Sequence, residues 1–454
     1  MKIEGFNPAN GERIYAYEEF SADEVERILA ESRKAFLEWR RTSFEHRSGL
    51  MKKAAALLRK PDGGFAELMA SEMGKPLAQG EGEVEKCAVG CEYFAEHAAG
   101  FLQREQGSTP FRSFVCYEPI GVILAIMPWN FPFWQVFRAA APAIMAGNAV
   151  VLKHASNVFG CALAIEEIFR QAGFPKGLFR TLLIGSKQAL PLASHPAIAA
   201  ITLTGSTPAG QAVAAAAGKA LKKTVLELGG SDPYLVLADA DLEKAAETCA
   251  ASRLINAGQS CIAAKRFIVL ESVLGEFQQR FVERMAARKM GDPFEEGVNI
   301  GPMARRDLRD SLHEQVEKTI RQGAKLLLGG KVPASKGAFY PATVLGGVRK
   351  GMTAFDEETF GPVAAIVSAR DEEEAIQLAN DSAFGLGAAI FTRDQARGEE
   401  IAATRLEAGN CFVNMYVQSD PRLPFGGVKQ SGYGRELSSF GIREFVNIKT
   451  VAVG

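Results

Sequence analysis

Short, almost uninterrupted apolar runs recur along the first half of the chain. An apolar run without polar alternation is typical of a strand that is covered on both faces. Five such runs predict strands at 121–127, 149–153, 200–205, 224–228 and 233–237. Stretches with helical periodicity lie between some of them, at 158–173 and 208–222. The order strand, helix, strand at this spacing indicates parallel βαβ units.

The second half of the chain repeats this organisation. Its β-rich runs predict a second α/β domain, which meets the first near residues 228–262; they lie at 266–270, 363–368, 388–392 and 411–414. Near the start of the chain, Ser21 and Glu24 form a capping-box pattern ahead of an amphipathic helix. The last residues, 445–453, alternate as a half-exposed strand would. A terminal strand without a partner in its own chain often pairs with another subunit, so we expect a homodimer or homotetramer.

The composition argues against several classes of protein. Apolar residues make up 47% of the 454 residues and charged residues 23%, with 52 basic side chains against 53 acidic ones. This balance is that of a globular protein, and we expect neither nucleic acid nor membrane as a partner. The first residues contain no apolar stretch of the secretory type, so we expect a cytoplasmic protein. Seven cysteines without a CxxC pair and five scattered histidines lead us to expect no metal and no disulfide framework.

Cys261 differs from the other six cysteines, which lie mostly in apolar helical or strand-like context and are expected to pack. It ends the segment NAGQSC, in which Gly258, Gln259 and Ser260 precede the thiol. A free cysteine is most often a buried packing residue. A cysteine at the end of a polar, glycine-containing loop can instead present its thiol to a cleft as a nucleophile.

Two other polar side chains follow predicted strands. Glu227 ends a strand just before Gly229 and Gly230, where a ligand can approach the backbone closely. It is a candidate general base, and the alternative is an ion-paired carboxylate. Asn130 lies in MPWNFP after another strand. An asparagine there is usually a turn residue, but its amide could donate to a developing oxyanion, a contribution of about 3 kcal/mol.

The segment LTGSTPAG, residues 203–210, predicts a strand-to-helix turn. Gly205 and Gly210 flank Ser206 and Thr207 in this turn. Free backbone amides at a helix N-terminus suit a phosphate group, although the glycine spacing differs from the GxGxxG fingerprint.

Six segments together resemble the aldehyde dehydrogenase superfamily over nearly the whole chain. In order, they are MPWNFP, LTGSTPAG, LELGG, NAGQSC, EETFGP (357–362) and PFGGVKQSGYGRE (424–436). Within the superfamily, the segments IMPWNFPFWQVFR, LKHASN, ELGGSDP and GRELSSFGIREF are most similar to the short type of bacterial succinate-semialdehyde dehydrogenases. The resemblance implies an α/β fold with two Rossmann-like parallel-sheet domains and a small β oligomerisation element.

The resemblance also implies domain boundaries. The NAD(P)-binding domain would comprise residues 1–100 and 120–228, and the catalytic domain residues 229–428. The oligomerisation element would comprise residues 101–119 and 429–454.

The chemistry implied by the resemblance agrees with the roles considered above. Cys261 would be the nucleophile that forms a thiohemiacetal, and Asn130 would hold the oxyanion together with the backbone N–H of Cys261. Hydride transfer to NAD(P) would leave a thioester, and Glu227 would activate the water that hydrolyses it. The expected reaction is the oxidation of succinate semialdehyde to succinate.

The same resemblance assigns the cofactor site to residues of both domains. We expect contacts with the pyrophosphate, the two riboses, the carboxamide and the nicotinamide ring from Trp129, Lys153, Ser156, Gly205, Ser206, Leu228, Glu358 and Phe360. Strictly NAD-dependent relatives carry a glutamate where this chain has Ser156. A carboxylate there would repel a 2′-phosphate, and its absence leaves Lys153 free to pair with that phosphate. We therefore predict NADP as coenzyme, with NAD also accepted.

The substrate site follows less directly from the resemblance. Arg138 and Ser419 match positions that contact the distal carboxylate in semialdehyde dehydrogenases. Some family members have another arginine six residues before the nucleophile, where this chain has Ile255. We expect the pocket to be completed instead by Arg422, or by Trp134 and Gln135.

Three alternatives remain at this stage. The protein could act on glutarate semialdehyde or on a broader range of short aldehydes. It could be an acylating enzyme that passes the thioester to coenzyme A. Glu227 argues against this, because an acylating enzyme does not need a base that activates water. It could also be an inactive structural or binding member of the family, which the set Cys261, Glu227 and Asn130 opposes.

Overall fold

The apolar runs of the sequence form the inner strands of two separate sheets. The computed structural model describes residues 2–454. Strands in this range are β1 (Lys2–Phe6), β2 (Arg13–Glu18), β3 (Glu105–Gln106), β4 (Arg112–Pro119), β5 (Val122–Met127), β6 (Ala149–His154), β7 (Phe179–Thr181), β8 (Ile198–Thr204), β9 (Lys223–Glu227), β10 (Pro233–Val236), β11 (Arg266–Leu270), β12 (Lys325–Leu328), β13 (Thr343–Gly346), β14 (Val363–Ala369), β15 (Phe384–Gly385), β16 (Gly387–Phe391), β17 (Asn410–Val413), β18 (Val428–Lys429), β19 (Gly432–Tyr433) and β20 (Val446–Val453).

Helices connect most of these strands and cover the sheet faces. The α-helices are α1 (Ala22–Trp39), α2 (Phe44–Leu58), α3 (Phe65–Met73), α4 (Leu77–Phe101), α5 (Trp134–Met145), α6 (Phe159–Ala172), α7 (Ser186–Leu192), α8 (Thr207–Lys219), α9 (Leu242–Leu254), α10 (Glu271–Ala286), α11 (Arg306–Arg321), α12 (Thr353–Asp356), α13 (Glu372–Asn380), α14 (Gln395–Thr404) and α15 (Ser438–Arg443). A short 3₁₀ turn lies at Ser156–Val158, and an irregular turn lies at Ile255–Gly258.

The first sheet has the strand order β19-β9-β8-β5-β6-β7. Strands β5 to β9 are parallel to one another, and β19 adds to the edge in the antiparallel sense. The strands predicted at 121–127, 149–153, 200–205 and 224–228 all lie in this sheet. Their side chains are almost all buried, because helices pack on both faces.

The second sheet has the strand order β12-β13-β14-β11-β10-β16-β17. Its strands are parallel except β12, which pairs antiparallel with β13. The predicted strands at 233–237, 266–270, 363–368, 388–392 and 411–414 form its centre and one edge. The prediction of an α/β fold with two parallel-sheet domains is therefore confirmed.

A third, antiparallel sheet has the order β20-β4-β3. The predicted C-terminal strand is β20, which pairs with β4 along eight residues, from Val446 opposite Pro119 to Val453 opposite Arg112. Its side chains at Ile448 and Val453 are exposed. The short β19, which the sequence assigned to the same element, pairs with β9 of the first sheet instead. The domain boundaries and the oligomerisation role stay predictions.

The helix that begins after Ser21 has the predicted capping box. The Ser21 hydroxyl accepts from the backbone N–H of Glu24 at 3.2 Å, and the Glu24 carboxylate accepts from the backbone N–H of Ser21 at 2.8 Å. At the other end of α1, Trp39 is buried and its indole N–H donates to the carbonyl of Ile144 at 2.9 Å. This bond ties α1 to the end of α5 beneath the first sheet.

The longest helix, α4, was not predicted from the sequence. It contains four glycines and several acidic residues, which weaken the amphipathic pattern that a sequence reader looks for. It forms nevertheless because its buried side, with Val84, Cys87, Cys91 and Phe94, packs against α2 and α5. This packing places one side of α4 along a cavity described below.

Within residues 2–454, no helix has the length and apolar character needed to cross a membrane.

Candidate active site

The carboxyl ends of neighbouring strands in the first sheet bring two of the predicted residues to one edge. Strand β9 ends at Glu227, which lies opposite Thr204 at the end of β8. Strand β5 lies on the other side of β8 and leads into Asn130. Ligands of open parallel sheets bind at this edge, where polar loop residues from several strands converge.

The loop that carries Cys261 has an unusual backbone. Asn256, Ala257 and Gly258 have φ angles of 54°, 53° and 74°, all in the left-handed region. Glycine is required at position 258 because a Cβ there would lie 2.2 Å from the carbonyl oxygen of Gly361. This close packing joins the Cys261 loop to the segment that follows Phe360.

Cys261 borders two cavities. One has a volume of about 260 Å³ and extends toward α8, and the other has a volume of about 380 Å³ and extends toward α4 and α5. Cys261 and Gln135 line both. Cys261 keeps part of its residue surface exposed, whereas Cys87, Cys91, Cys161 and Cys249 are fully buried and line neither cavity. This placement matches the prediction of a thiol that faces a cleft.

Burial raises the pKa of the Cys261 thiol to about 12. The positive charges of Arg138 and Lys265 act in the opposite direction, and the negative charges of Glu358 and Glu227 add to the increase. In the free protein the thiol is therefore protonated at neutral pH, and its reactivity depends on the small thiolate fraction.

Asn130 is buried beside Cys261, and its side-chain amide is held at both ends. Its Nδ2 donates to the carbonyl of Gln259 at 3.0 Å, and its Oδ1 accepts from Nε2 of Gln135 at 3.1 Å. Its own backbone carbonyl accepts from Nδ2 of Asn256 at 2.7 Å. The amide N–H groups therefore point toward the Cys261 loop, as an oxyanion donor requires.

Glu227 lies behind the wall of these cavities. It is 2% exposed, and neither carboxylate oxygen has a hydrogen-bond partner within residues 2–454. Burial, with the nearby carboxylate of Glu436, raises its pKa well above the usual range, and the charges of Arg138 and Arg435 oppose this. The carboxyl group lines neither cavity, so it has to rotate to act on a molecule at Cys261.

Six of the eight predicted cofactor residues line the smaller cavity. They are Trp129, Gly205, Ser206, Leu228, Glu358 and Phe360. The rings of Trp129 and Phe360 meet edge to face, with centroids 5.8 Å apart. Ser206 is the N-cap of α8, but its side chain makes no capping hydrogen bond. Aromatic walls beside the unsatisfied N–H groups of a helix N-terminus suit a dinucleotide with its pyrophosphate at that end.

The other two predicted cofactor residues, Lys153 and Ser156, lie outside this cavity. Lys153 is at the end of β6, opposite Ile126 of β5, so it belongs to the same edge of the sheet. Burial lowers its pKa from the ordinary value for lysine. Ser156 is exposed, and its carbonyl accepts from the Tyr15 hydroxyl at 2.8 Å. Their predicted contacts with the adenosine end of the cofactor stay predictions.

The larger cavity is lined mainly by apolar and aromatic residues. Arg138, Ser419, Trp134, Gln135 and Ile255, which the sequence analysis singled out, all line it. Arg422 does not: its side chain is 74% exposed and pairs with Asp420 at 2.6 Å. Of the two alternatives for completing the pocket, the structure therefore places Trp134 and Gln135 there.

Arg138 already has a partner in the protein. Its guanidinium forms a buried ion pair with Glu436, donates to the Thr204 hydroxyl at 3.3 Å and lies 4.7 Å from the centre of the Phe425 ring. Its predicted contact with a substrate carboxylate stays a prediction.

Buried charges that the sequence analysis missed hold the catalytic loops. Glu83 accepts from the backbone N–H groups of Phe133 and Trp134, both at 2.9 Å, and so caps α5. Lys75 pairs with Glu83 and donates to the Asn130 carbonyl at 2.9 Å. No sequence signal marks these residues, because isolated charged residues in a helical segment usually face solvent.

Lys265 is a second missed residue, and it lies below the nucleophile. Its Nζ donates to the carbonyls of Ser260 at 2.9 Å and Cys261 at 2.8 Å. It also pairs with Glu358 at 3.3 Å. One ammonium group therefore connects the Cys261 loop to a residue of the smaller cavity.

A cysteine that borders both a cleft beside a helix N-terminus and a second, mainly apolar cavity suits a cysteine-dependent oxidoreductase. The chain belongs to the aldehyde dehydrogenase family, whose family model matches residues 1–451. The resemblance seen in the sequence is thus confirmed.

Named relatives and a solved structure agree with this family. The chain is 51% identical to "Succinate semialdehyde dehydrogenase [NAD(P)+] Sad" of Escherichia coli (strain K12), over 98% of this chain and 96% of that one. It is 46% identical to "Succinate-semialdehyde dehydrogenase [NADP(+)] 1" of Mycobacterium tuberculosis (strain ATCC 25618 / H37Rv), over 99% of both. It superposes on succinic semialdehyde dehydrogenase from Streptococcus pyogenes in complex with NADP+ with a TM-score of 0.97, at 35% identity and over 99% of both chains.

The raised pKa of Cys261 predicts how its alkylation depends on pH. Because the thiolate is the reactive form, the rate of modification by iodoacetamide in the free protein should rise about tenfold per unit between about pH 7 and pH 9. Mass spectrometry of the tryptic peptide 254–265, which contains only this cysteine, measures the rate. The fully buried Cys249 is the internal control and should stay unmodified. A rate that levels off below about pH 8 would contradict the prediction.

Proposed function

We propose that the protein oxidises succinate semialdehyde to succinate with NADP as the preferred coenzyme and NAD as an alternative. The observation that carries the proposal is the position of Cys261, between a cavity suited to a dinucleotide and a second cavity that contains cationic side chains. The relatives described above are named for this activity and for these coenzymes.

The chemistry begins at the sulfur. The thiolate of Cys261 attacks the aldehyde carbon, and the resulting oxyanion accepts hydrogen bonds from Nδ2 of Asn130 and from the backbone N–H of Cys261. A bound nicotinamide supplies the acceptor for the hydride that converts the thiohemiacetal into a thioester. The side-chain amide of Asn130 is kept in place by Gln135, so this donor is oriented before the substrate arrives.

Glu227 acts in the second half of the reaction. Its carboxyl group rotates from its buried position into the cavity and takes a proton from water, which then attacks the thioester and releases succinate and the Cys261 thiol. The raised pKa in the buried position favours the protonated form, so the carboxyl group has to lose its proton as it enters the cavity before it can act as the base. Its retreat behind the cavity wall keeps the carboxyl group away from the thiolate during the first half of the reaction.

We further propose that the chain works as a cytoplasmic homo-oligomer. The exposed side chains of β20, including Ile448, belong to a terminal strand whose outer edge has no partner strand within residues 2–454. All seven cysteines are free thiols, as is usual in a reducing compartment. Sedimentation of the purified chain at micromolar concentration tests the assembly, and cell fractionation tests the location. A monomer, or recovery outside the cytoplasmic fraction, would contradict the respective part.

The direct test is a panel of aldehydes assayed with both coenzymes. Succinate semialdehyde should give a kcat/KM at least about tenfold above that of butanal, because a charge-assisted hydrogen bond to its carboxylate contributes about 1.5–3 kcal/mol. Formation of the reduced coenzyme, followed at its absorbance band, measures both values. Equal efficiency for the two aldehydes would refute the substrate assignment, and absence of turnover would refute the activity.

Glu227→Gln should separate the two half-reactions. Without the base, steady-state turnover should fall about 10²- to 10⁴-fold, while a rapid burst of about one reduced coenzyme per Cys261 remains, because the thioester still forms. Stopped-flow absorbance measures the burst. Cys261→Ala is the matched control and should show neither phase. If Glu227→Gln also lost the burst, the carboxylate would act before hydride transfer, contrary to the proposed role.

Ser156→Glu should reverse the coenzyme preference. A carboxylate at this exposed position would repel a 2′-phosphate and lower kcat/KM for NADP by at least about tenfold. The value for NAD should change by less than about threefold, because NAD carries no such phosphate. Ser156→Ala, which removes only the hydroxyl, is the control. Equal losses for both coenzymes in Ser156→Glu would show that Ser156 is remote from the phosphate.

A further inference from the structure

Two cationic side chains line the substrate cavity, and only one of them has a carboxylate partner in the protein. Arg138 on α5 forms the buried ion pair with Glu436. Lys86 on α4 is half-buried in the cavity wall, and no carboxylate oxygen of residues 2–454 lies within 4.0 Å of its Nζ. A partly desolvated ammonium without a counter-ion is costly, so a negative group that entered the cavity would be stabilised there.

The polar contacts of Lys86 form a small, ordered cluster. Its Nζ donates to the hydroxyl oxygen of Ser419 at 2.8 Å and lies 4.7 Å from the centre of the Trp134 ring. The Trp134 indole N–H donates to the same oxygen at 3.0 Å. Lys86, Ser419 and Trp134 come from segments far apart in sequence, and all three line the cavity that reaches Cys261.

The hydrogen bonds at Ser419 leave one donor unused. A hydroxyl group offers two lone pairs and one O–H. Lys86 and Trp134 donate to the two lone pairs, so the O–H of Ser419 has to donate elsewhere. Ser419 is 7% exposed and borders the cavity, which makes a ligand in that cavity the available acceptor. Together, the ammonium of Lys86 and the O–H of Ser419 present two donors to one anion.

We propose that Lys86 is a specificity-determining residue that binds the distal carboxylate of the substrate together with Ser419. The proposal rests on the proposed oxidation of a semialdehyde and names the group that selects its charged end. One carboxylate oxygen accepts from Lys86 and the other from Ser419, as charge-assisted hydrogen bonds. No covalent step is involved.

Arg138 has a different part in this arrangement. Its guanidinium lies among the carboxylates of Glu436 and Glu227, where burial raises the pKa of both and the charge of Arg138 opposes that increase. Arg138 is therefore a positioning residue for the base side of the site, and its charge is shared before any substrate arrives. Lys86 carries the charge that remains for the substrate.

The pKa of Lys86 gives the proposal a second readout. Burial and the charge of Arg138 lower it to about 8, while Cys87, Glu83 and Asp420 oppose the decrease. Below this pH the ammonium is charged and binds a carboxylate; above it the charge is lost. The preference of the free enzyme for a carboxylate substrate should therefore decline as the pH rises through about 8.

The test compares two aldehydes of the same chain length, succinate semialdehyde and its uncharged methyl ester. The measured quantity is the ratio of their kcat/KM values, because effects on Cys261, on the coenzyme or on folding act on both substrates and cancel. Lys86→Met should lower this ratio about 10- to 100-fold, and Ser419→Ala should lower it in the same direction by less. Lys53→Met, at an exposed position on α2, is the matched control and should leave the ratio unchanged.

The outcomes distinguish this inference from the proposed function. If the wild-type enzyme prefers the charged substrate but Lys86→Met keeps the ratio within about threefold, Lys86 does not bind the carboxylate and the proposed function stands. If Arg138→Met alone lowers the ratio, the anion is bound by Arg138, and the inference is overturned. If the wild-type enzyme does not oxidise succinate semialdehyde, the proposed function fails, and this inference fails with it. If the ratio declines above about pH 8 in the wild-type enzyme but does not change with pH in Lys86→Met, the inference is supported.

Discussion

The close contact between the backbone at Gly258 and the carbonyl of Gly361 is the constraint on which the rest of the site depends. It is too tight for any side chain, and the adjoining residues Asn256 and Ala257 adopt left-handed conformations. Because the Gly361 segment also carries Glu358 and Phe360, the contact places the nucleophile next to the wall of the smaller cavity. The thiol therefore belongs to both cavities at once, and a reaction that joins their contents becomes possible there.

Buried charges then organise the polar groups around the sulfur. Glu83 and Lys75 orient the backbone at Asn130. The ammonium of Lys265 donates to the backbone carbonyls of Ser260 and Cys261. Isolated charges would be expensive at these depths, but each is paired or hydrogen-bonded. Glu227 is the exception among the catalytic groups, because its carboxylate oxygens have no partner within the described residues. The unpartnered group is the one that has to move.

Much of the fold and of the catalytic centre could be predicted from the sequence. Strand β5 is apolar throughout and β8 is interrupted only by threonines, and this pattern follows from burial between two layers of helices. Cys261, Glu227 and Asn130 were recognised because each follows a strand or a glycine-containing loop, and because six motifs appear in family order. Helix α4 was missed because its stability comes from packing, which local propensity does not report.

The sequence by itself determined the α/β class and the family and proposed Cys261 as the nucleophile, since these depend on local patterns and on motif order. Only the tertiary structure decided which cation remains available to a substrate. Arg138 and Lys86 are both single basic residues in the sequence, 52 positions apart. Folding brings Glu436 to one and Ser419 to the other, and the strength of a charge in a cavity depends on its neighbours in space.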